Sequence, residues 1–337
     1  GFDIIFFWVA RMIMMTTHFI NEVPFKKILI HGLIKDSEGQ KMSKSKGNTL
    51  DPLDIIDGID LESLLEKRTD GLMQPKMKER IIKQTKKEFP EGIKSYGTDA
   101  LRLTFCSLAS GGRDINFDIK RVEGYRNFCN KLWNAARFID LNIANFGIAD
   151  NRSQTEIDAW IDYKFNETLK KVNKSFDEYR FDLATKAIYE FIWYEFCDWF
   201  IEMHKISFSE ENINPSEVVR SMVHVLEKTL RLAHPLMPFI TEEIWNQFKN
   251  HHQSSSKSLM LCDYPQEAKN CIEDDFKRIE WLKAIVSGIR NIRGELSIKP
   301  SIKIAATFKG GDSGDELNLD KVNSYVKKLS NLKSINW

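Results

Sequence analysis

A chain of 337 residues is long enough for two or three domains, each with its own hydrophobic core. Its 42% hydrophobic and 29% charged residues are typical of a globular protein, and a formal net charge of +1 excludes the overall basic field of many nucleic-acid binders. Any nucleic-acid site must therefore come from local charge. The five cysteines are scattered and form no C-x-x-C pair, which indicates reduced thiols in a cytosolic protein and gives no zinc pattern.

Residues 1–19 are strongly apolar and predict a helix. Asp3 and Arg11 interrupt a stretch that is shorter than the ~20 residues needed to span a bilayer. The stretch also lacks the basic start and the cleavage pattern of a signal peptide. We expect a helix buried in a larger fold, of which this chain is a fragment.

The next segments predict a strand, a loop and a helix, in that order. KKILIHGLI predicts a short buried strand that ends near Ile34, and the polar, lysine-rich residues from Asp36 to Asn48 predict a loop. A helix restarts at Asp51-Pro52. This order places the loop at the C-terminal edge of a sheet, where α/β proteins bind ligands.

From Gly97 onward the pattern is mainly helical. A helix capped at residues 96–99 runs to about 108, and further helices are predicted over about 120–143, 156–179, 182–204, 216–233, 238–250 and 274–294. The helix at 182–204 is apolar almost all round, which predicts the centre of a bundle, with its aromatic side chains in the core. SIKIAATF predicts a strand, so the tail is expected to form a small α/β unit.

The sharpest chemical signal lies inside the predicted loop. Lys41-Met42-Ser43-Lys44-Ser45 is followed by Lys46-Gly47-Asn48, which presents ammonium and hydroxyl groups that suit a polyphosphate. The G-x-x-x-x-G-K-[ST] spacing of a P-loop is absent. A solvated lysine–serine loop is the alternative.

Two segments carry excess positive charge. Six positive residues lie between Lys76 and Lys87, and five lie between Asp118 and Arg137. Pattern alone favours solvated helix faces over nucleic-acid contacts for both. A sequence resemblance, given next, implies nucleic-acid contacts for the second of these segments.

Five stretches of the sequence resemble the class I aminoacyl-tRNA synthetases. They are GFDIIFFWVARMIMM, HGLIKDSEGQKMSKSKGNTLDPLDII, YGTDALRLTF, GGRDINFDIKRVEGYRNFCNKLWNAARF and HPLMPFITEEIW. The first and fourth are similar to the valine enzymes and separate them from their isoleucine and leucine relatives. The resemblance extends over nearly the whole chain.

The resemblance implies a mainly α protein in four segments. Residues 1–50 would be the C-terminal part of a Rossmann-type catalytic domain that includes the KMSKS loop. Residues 51–117 would form a stem-contact or connecting region, and 118–262 an anticodon-binding helical bundle. Residues 263–337 would form a small C-terminal α/β unit.

The resemblance also implies site residues. Lys41 and Lys44 would bind the ATP phosphates and stabilise their developing charge. Trp8 would line the valine pocket, with plain core packing as an equal alternative. The remaining implied ATP contacts are Gly1, Asp3, His31, Gly32, Met42, Ser43 and Ser45. The implied tRNA contacts are Arg121, Arg126, Asn130, Lys131, Asn134 and Arg137, and packing within the bundle is the alternative for the asparagines.

The implied function is ligation of valine to its tRNA through valyl-adenylate, in the cytoplasm and as a monomer that binds no membrane. Magnesium would enter with ATP, held by phosphates and water, so no protein-bound metal is expected. We see no H-I-G-H-type motif, editing domain or C-terminal coiled coil in the sequence, so the chain alone is expected to be inactive. The alternative is an isolated tRNA-binding module without catalysis.

Overall fold

The structure, a computed structural model, describes residues 1–36, 38–72, 74–112, 114–153, 155–251, 256–268 and 277–337. Contacts divide the chain into two compact units. Unit 1 comprises Gly1–Asn130, Lys171–Ile188 and Ala233–Ile240, and unit 2 comprises Lys131–Lys170, Tyr189–Leu232 and Thr241–Trp337. The four predicted segments stay a prediction. Cys271 and the start of the predicted helix at 274–294 lie outside the described residues.

The chain is mainly helical, as predicted. Its first five helices are α1 (Phe2–Ile20), α2 (Pro52–Asp57), α3 (Leu61–Thr69), α4 (Lys78–Glu88) and α5 (Thr98–Leu108). Asp51 and Asp60 cap α2 and α3, because their carboxylates accept hydrogen bonds from the backbone amides of Leu53 and Ser63.

The later helices are longer and form most of the remaining chain. They are α6 (Ile119–Phe146), α7 (Glu156–Asp177), α8 in three consecutive parts (Phe181–Glu190, Phe191–Phe200 and Ile201–Ser207), α9 (Pro215–Ala233), α10 (Pro238–Gln247), α11 (Lys277–Glu295) and α12 (Ser313–Leu329). The middle part of α8 has wider, π-helical turns.

The prediction that KKILIHGLI forms the strand before the loop is wrong in position. Only Ile34–Lys35, here β1, is a strand, and it pairs in parallel with β2, Ile115–Asn116. The preceding Ile28 and Leu29 are about half exposed. A buried parallel strand needs neighbours along its length and cover on both faces, and the described residues supply a partner for only two positions.

Helix α1 also departs from expectation. It is 19 residues long, it has the length and composition of a membrane span, and none of it is buried. The prediction that this stretch is too short to span a bilayer is therefore wrong, since Asp3 and Arg11 lie within the helix without ending it. Its burial within a larger fold stays a prediction. A single such helix is weak evidence for a membrane segment, because core helices pass the same test.

A buried cluster in unit 1 anchors the segments around the predicted loop. Its members are Ile55, Ala100, Leu101, Phe117 and Val122, and Met42 packs against it.

The aromatic side chains of α8 are mostly core, as predicted. Phe191, Phe196 and Phe200 are buried, but Trp193 and Trp199 are only half-buried. The prediction that the whole aromatic row is core is therefore wrong at these two positions. At the end of the chain, β3 (Ile304–Thr307) and β4 (Leu332–Asn336) pair in parallel around α12, which confirms a small α/β unit.

A polar network in unit 2 surrounds Asp158, a buried residue with 3% of its surface exposed. The hydroxyls of Ser153 (2.7 Å), Thr155 (2.6 Å) and Ser221 donate to its carboxylate, and His204 Nε2 lies 3.5 Å away. Burial raises the pKa of Asp158, but the nearby His204 and the hydroxyl donors outweigh it and hold that pKa well below its usual range. The network therefore depends on an ionised Asp158.

Candidate functional site: the KMSKS loop and helix α6

The loop from Asp36 to Asn48 connects β1 to the segment that leads into α2. Met42 anchors its middle by packing into the core of unit 1. The turn at Lys44–Lys46 ends at Gly47, whose φ of +64° is left-handed. A Cβ there would lie 2.6 Å from the carbonyl oxygen of Arg68 and from Ile81 Cδ1, so only glycine fits.

Asn48 joins three parts of the loop through its side chain. Its Oδ1 accepts a hydrogen bond from the Ser43 amide (2.9 Å), and its Nδ2 donates to Asp36 Oδ2 (2.7 Å) and to the Lys41 carbonyl (3.3 Å). Burial opposes the charge of Asp36, but hydrogen bonds from Asn48 and from the backbone outweigh it and lower the pKa of that carboxyl. Neither Asp36 nor Asn48 is among the site residues predicted from the sequence.

Arg68 ties the end of the loop to α3. It is 7% exposed, and its Nε donates to the Gly47 carbonyl at 3.0 Å. Glu88 lies 3.6 Å from its Nη1, and its guanidinium sits 5.9 Å from the ring centroid of Phe89. A buried guanidinium paired in this way fixes the backbone at Gly47.

Four of the predicted ATP contacts lie together with Lys41. Lys41 Nζ lies 3.2 Å from Asp3 Oδ2, and this hydrogen bond lowers the pKa of Asp3. His31 Nε2 lies 3.1 Å from the backbone nitrogen of Gly1, and its Nδ1 lies 2.9 Å from the carbonyl of neighbouring Gly32. The fold thus brings residues from three parts of unit 1 to one place.

The remaining motif residues differ in exposure. Lys44 is exposed and has no ion pair with the described residues, whereas Ser43 and Ser45 are half-buried with their hydroxyls 3.2 Å apart. Trp8 is 58% exposed, so the described residues provide neither a core nor a closed pocket around it. Its predicted role in valine binding stays a prediction.

Four predicted tRNA contacts share one face of α6. Arg126, Asn130, Asn134 and Arg137 follow one another at intervals of three or four residues, and each is exposed. Arg121 is exposed but lies off this face.

Two of the predicted cations are already engaged by other groups. Lys131 Nζ lies 2.5 Å from Asp198 Oδ1 and 3.8 Å from the ring centroid of Trp193. Arg126 Nη1 donates to the Tyr96 carbonyl at 3.2 Å. Lys131 is therefore less available for a phosphate than Arg137. Sequence carried no signal for the Lys131 pair, because Asp198 is 67 residues away.

Two family models match the chain. Residues 1–118 match the one described as tRNA synthetases class I (I, L, M and V), and residues 158–308 match the anticodon-binding domain of tRNA ligase. The whole chain is 48% identical to the valine–tRNA ligase of Coxiella burnetii and 48% identical to that of Francisella tularensis. The chain belongs to the class I tRNA synthetases.

This synthetase chain spans 37% of the length of each of those two relatives. The predicted tRNA contacts of α6 fall between the two matched regions. Among solved structures, a leucine-enzyme complex, LeuRS–tRNA–LeuAMS from Agrobacterium radiobacter, is similar with 17% identity and a TM-score of 0.49 over 78% of this chain and 28% of that one. Among the described residues of the synthetase chain, no group of three or more His, Cys, Asp and Glu side chains could hold a metal ion.

Proposed function

We propose that this chain is part of a valine–tRNA ligase. In the first reaction a valine carboxylate oxygen attacks the α-phosphorus of ATP, the bond to the β-phosphate oxygen breaks, and valyl-adenylate and pyrophosphate are formed. In the second, the terminal ribose hydroxyl of the valine tRNA takes the acyl group and AMP leaves. The identity to valine–tRNA ligases over the whole chain, including the KMSKS loop, is the observation that carries this proposal.

Lys41 and Lys44 would act on the phosphates. Both ammonium groups are exposed on a loop whose backbone is fixed by Asn48 and Arg68. Negative charge grows on the phosphate oxygens as pyrophosphate departs, and positioned cations stabilise that charge more than the ground state. Lys41 is paired with Asp3 in this structure, so ATP phosphates would have to compete with that carboxylate.

The adenosine end of ATP would lie near Gly1, Asp3, His31 and Gly32. Asp3 would accept from ribose hydroxyls, and backbone groups of Met42 would read the adenine edge. Ser43 and Ser45 would order the loop. Mg²⁺ would accompany ATP, held by phosphates and water.

We further propose that the partner of α6 is the valine tRNA, with Arg137 on a phosphate and the exposed asparagines on unstacked anticodon bases. A monomer in the cytoplasm is the proposed state. Cys106, Cys129 and Cys197 are free thiols, which suits a reducing compartment.

Valine-dependent ATP–pyrophosphate exchange by the complete synthetase that carries this segment tests the activity. Lys41→Ala and Lys44→Ala should each reduce kcat by about 100-fold or more, the effect of removing one positioned electrostatic group. Lys94→Ala is the control, because this exposed lysine of unit 1 lies outside the loop. The proposal would be overturned if ATP–pyrophosphate exchange depended on an amino acid other than valine. It would also be overturned if exchange persisted in both Lys41→Ala and Lys44→Ala.

The 337-residue chain by itself is proposed to bind the valine tRNA without activating valine. Its helix α1 presents an uncovered apolar face, so the surroundings of Trp8 are incomplete among the described residues. Robust exchange by the chain alone would contradict this part of the proposal.

A further inference from the structure

The side chain of Asn48 is shared among three groups that flank the predicted phosphate-binding lysines. Its amide oxygen accepts from the backbone of Ser43, and its amide nitrogen donates to the backbone of Lys41 and to the carboxylate of Asp36. A side-chain amide both donates and accepts hydrogen bonds, whereas an ionised carboxylate of the same size only accepts them. Each end of Asn48 therefore serves a different part of the loop.

Asp36 completes the arrangement from the end of β1. Its Oδ1 accepts from the backbone amides of Gln40 (2.7 Å) and Glu38 (3.1 Å), while its Oδ2 accepts from Asn48. One oxygen thus forms the turn before the motif, and the other binds the residue after it. The backbone between them has its two ends fixed to one carboxylate.

We propose that Asn48 and Asp36 are a positioning pair, which sets the backbone at Lys41 and Ser43 so that the loop lysines meet the ATP phosphates in one geometry. This inference rests on the proposed function. Neither side chain touches substrate; both act through the loop. The reason to expect an effect on rate is that a displacement of about 1 Å in a positioned group reduces turnover by up to about 100-fold.

The pair also predicts its own rescue. Asn48→Asp alone sets two carboxylates against each other and loses the donor, and Asp36→Asn alone leaves two amides to share the same contact. In the double variant, the Oδ1 of residue 36 still accepts from the two backbone amides and its Nδ2 donates to the carboxylate now at position 48. That carboxylate still accepts from the Ser43 amide. The 3.3 Å hydrogen bond to the Lys41 carbonyl is lost, because a carboxylate oxygen at position 48 cannot donate to it.

Amide hydrogen exchange on the 337-residue chain tests the geometry without any assumption about activity. The exchange rate at the Ser43 amide should rise by about tenfold or more in each single variant. In the double variant this rate should fall most of the way back to the wild-type value. Asp60→Asn is a matched control, because Asp60 likewise caps backbone amides in unit 1 but lies outside the loop. An unchanged exchange rate at the Ser43 amide in both single variants would refute the proposal that Asn48 and Asp36 position the loop backbone.

ATP–pyrophosphate exchange by the complete synthetase then tests the role in catalysis. Each single variant should raise KM for ATP and lower kcat, with KM for valine unchanged and kcat/KM for ATP down by about 10–100-fold. The double variant should recover to within about threefold of wild type. A merely structural role would lower the active fraction and leave both KM values unchanged, and that result would refute the inference. Absence of valine-dependent exchange in the wild type would instead refute the proposed function.

Discussion

Gly47 offers a direct test of how tightly the loop is seated. Alanine at this position must keep a left-handed φ of +64°, and its Cβ must share space with the Arg68 carbonyl oxygen and the Ile81 side chain, both 2.6 Å away. The carbonyl belongs to the backbone of α3 and cannot move aside cheaply. Gly47→Ala should therefore displace the loop from α3 and α4.

The size of the effect has two parts. A left-handed conformation costs a non-glycine residue about 1–2 kcal/mol, and insertion of a methyl group into a packed contact costs about 1–3 kcal/mol. Gly71→Ala separates them, because Gly71 has a similar φ of +67° but no atom within 4 Å of an added Cβ. We expect about 2–5 kcal/mol for Gly47→Ala and about 1–2 kcal/mol for Gly71→Ala.

Hydrogen–deuterium exchange read by mass spectrometry suits this measurement, because a chain of two compact units need not unfold in a single two-state step. The protected amides of Leu61–Thr69 and Lys78–Glu88 report on the contacts at Gly47. Gly47→Ala should accelerate their exchange by about thirtyfold or more, and clearly beyond Gly71→Ala. Equal acceleration in the two variants would refute the clash with the Arg68 carbonyl as the reason for glycine.

Two further predictions concern unit 2 and α6. Asp158→Ala should destabilise unit 2 by about 3–5 kcal/mol at pH 7, because it leaves buried polar partners uncompensated. Since the folded pKa of Asp158 is depressed, its contribution is complete above about pH 4 and is lost as pH falls further, so urea titrations at pH 7 and pH 3 should show a smaller mutational effect at pH 3. Arg137→Ala should reduce the salt dependence of tRNA binding by about one unit of slope, whereas Lys131→Ala should leave the slope unchanged, because Asp198 already pairs with this lysine.

The loop could be predicted from sequence because its determinants are local. The spacing of lysines, serines and glycine marked residues 36–48 as a polar loop, and the structure places a loop there. The roles of Asp36 and Asn48 were missed, although an Asx residue at each end of a polar segment is itself a signal for side-chain to backbone hydrogen bonds.

The error at the predicted strand has a different origin. Apolar content and β-branched residues predict burial, but burial depends on what covers a segment, and the sequence of that segment does not contain this information. Ile28 and Leu29 have apolar neighbours in sequence and yet are about half exposed. The same holds for Lys131, whose partner Asp198 is distant in sequence.

Shape and charge of the loop therefore depend on different parts of unit 1. Its shape comes from hydrogen bonds of Asp36 and Asn48 within the loop and from Arg68, twenty-one residues beyond Gly47. The charge of Lys41 is balanced by Asp3, at the start of the exposed α1. Changes at Gly47 or Asn48 should consequently alter the geometry of both lysines together, whereas a change at Asp3 should act on Lys41 and leave the backbone of the loop as it is.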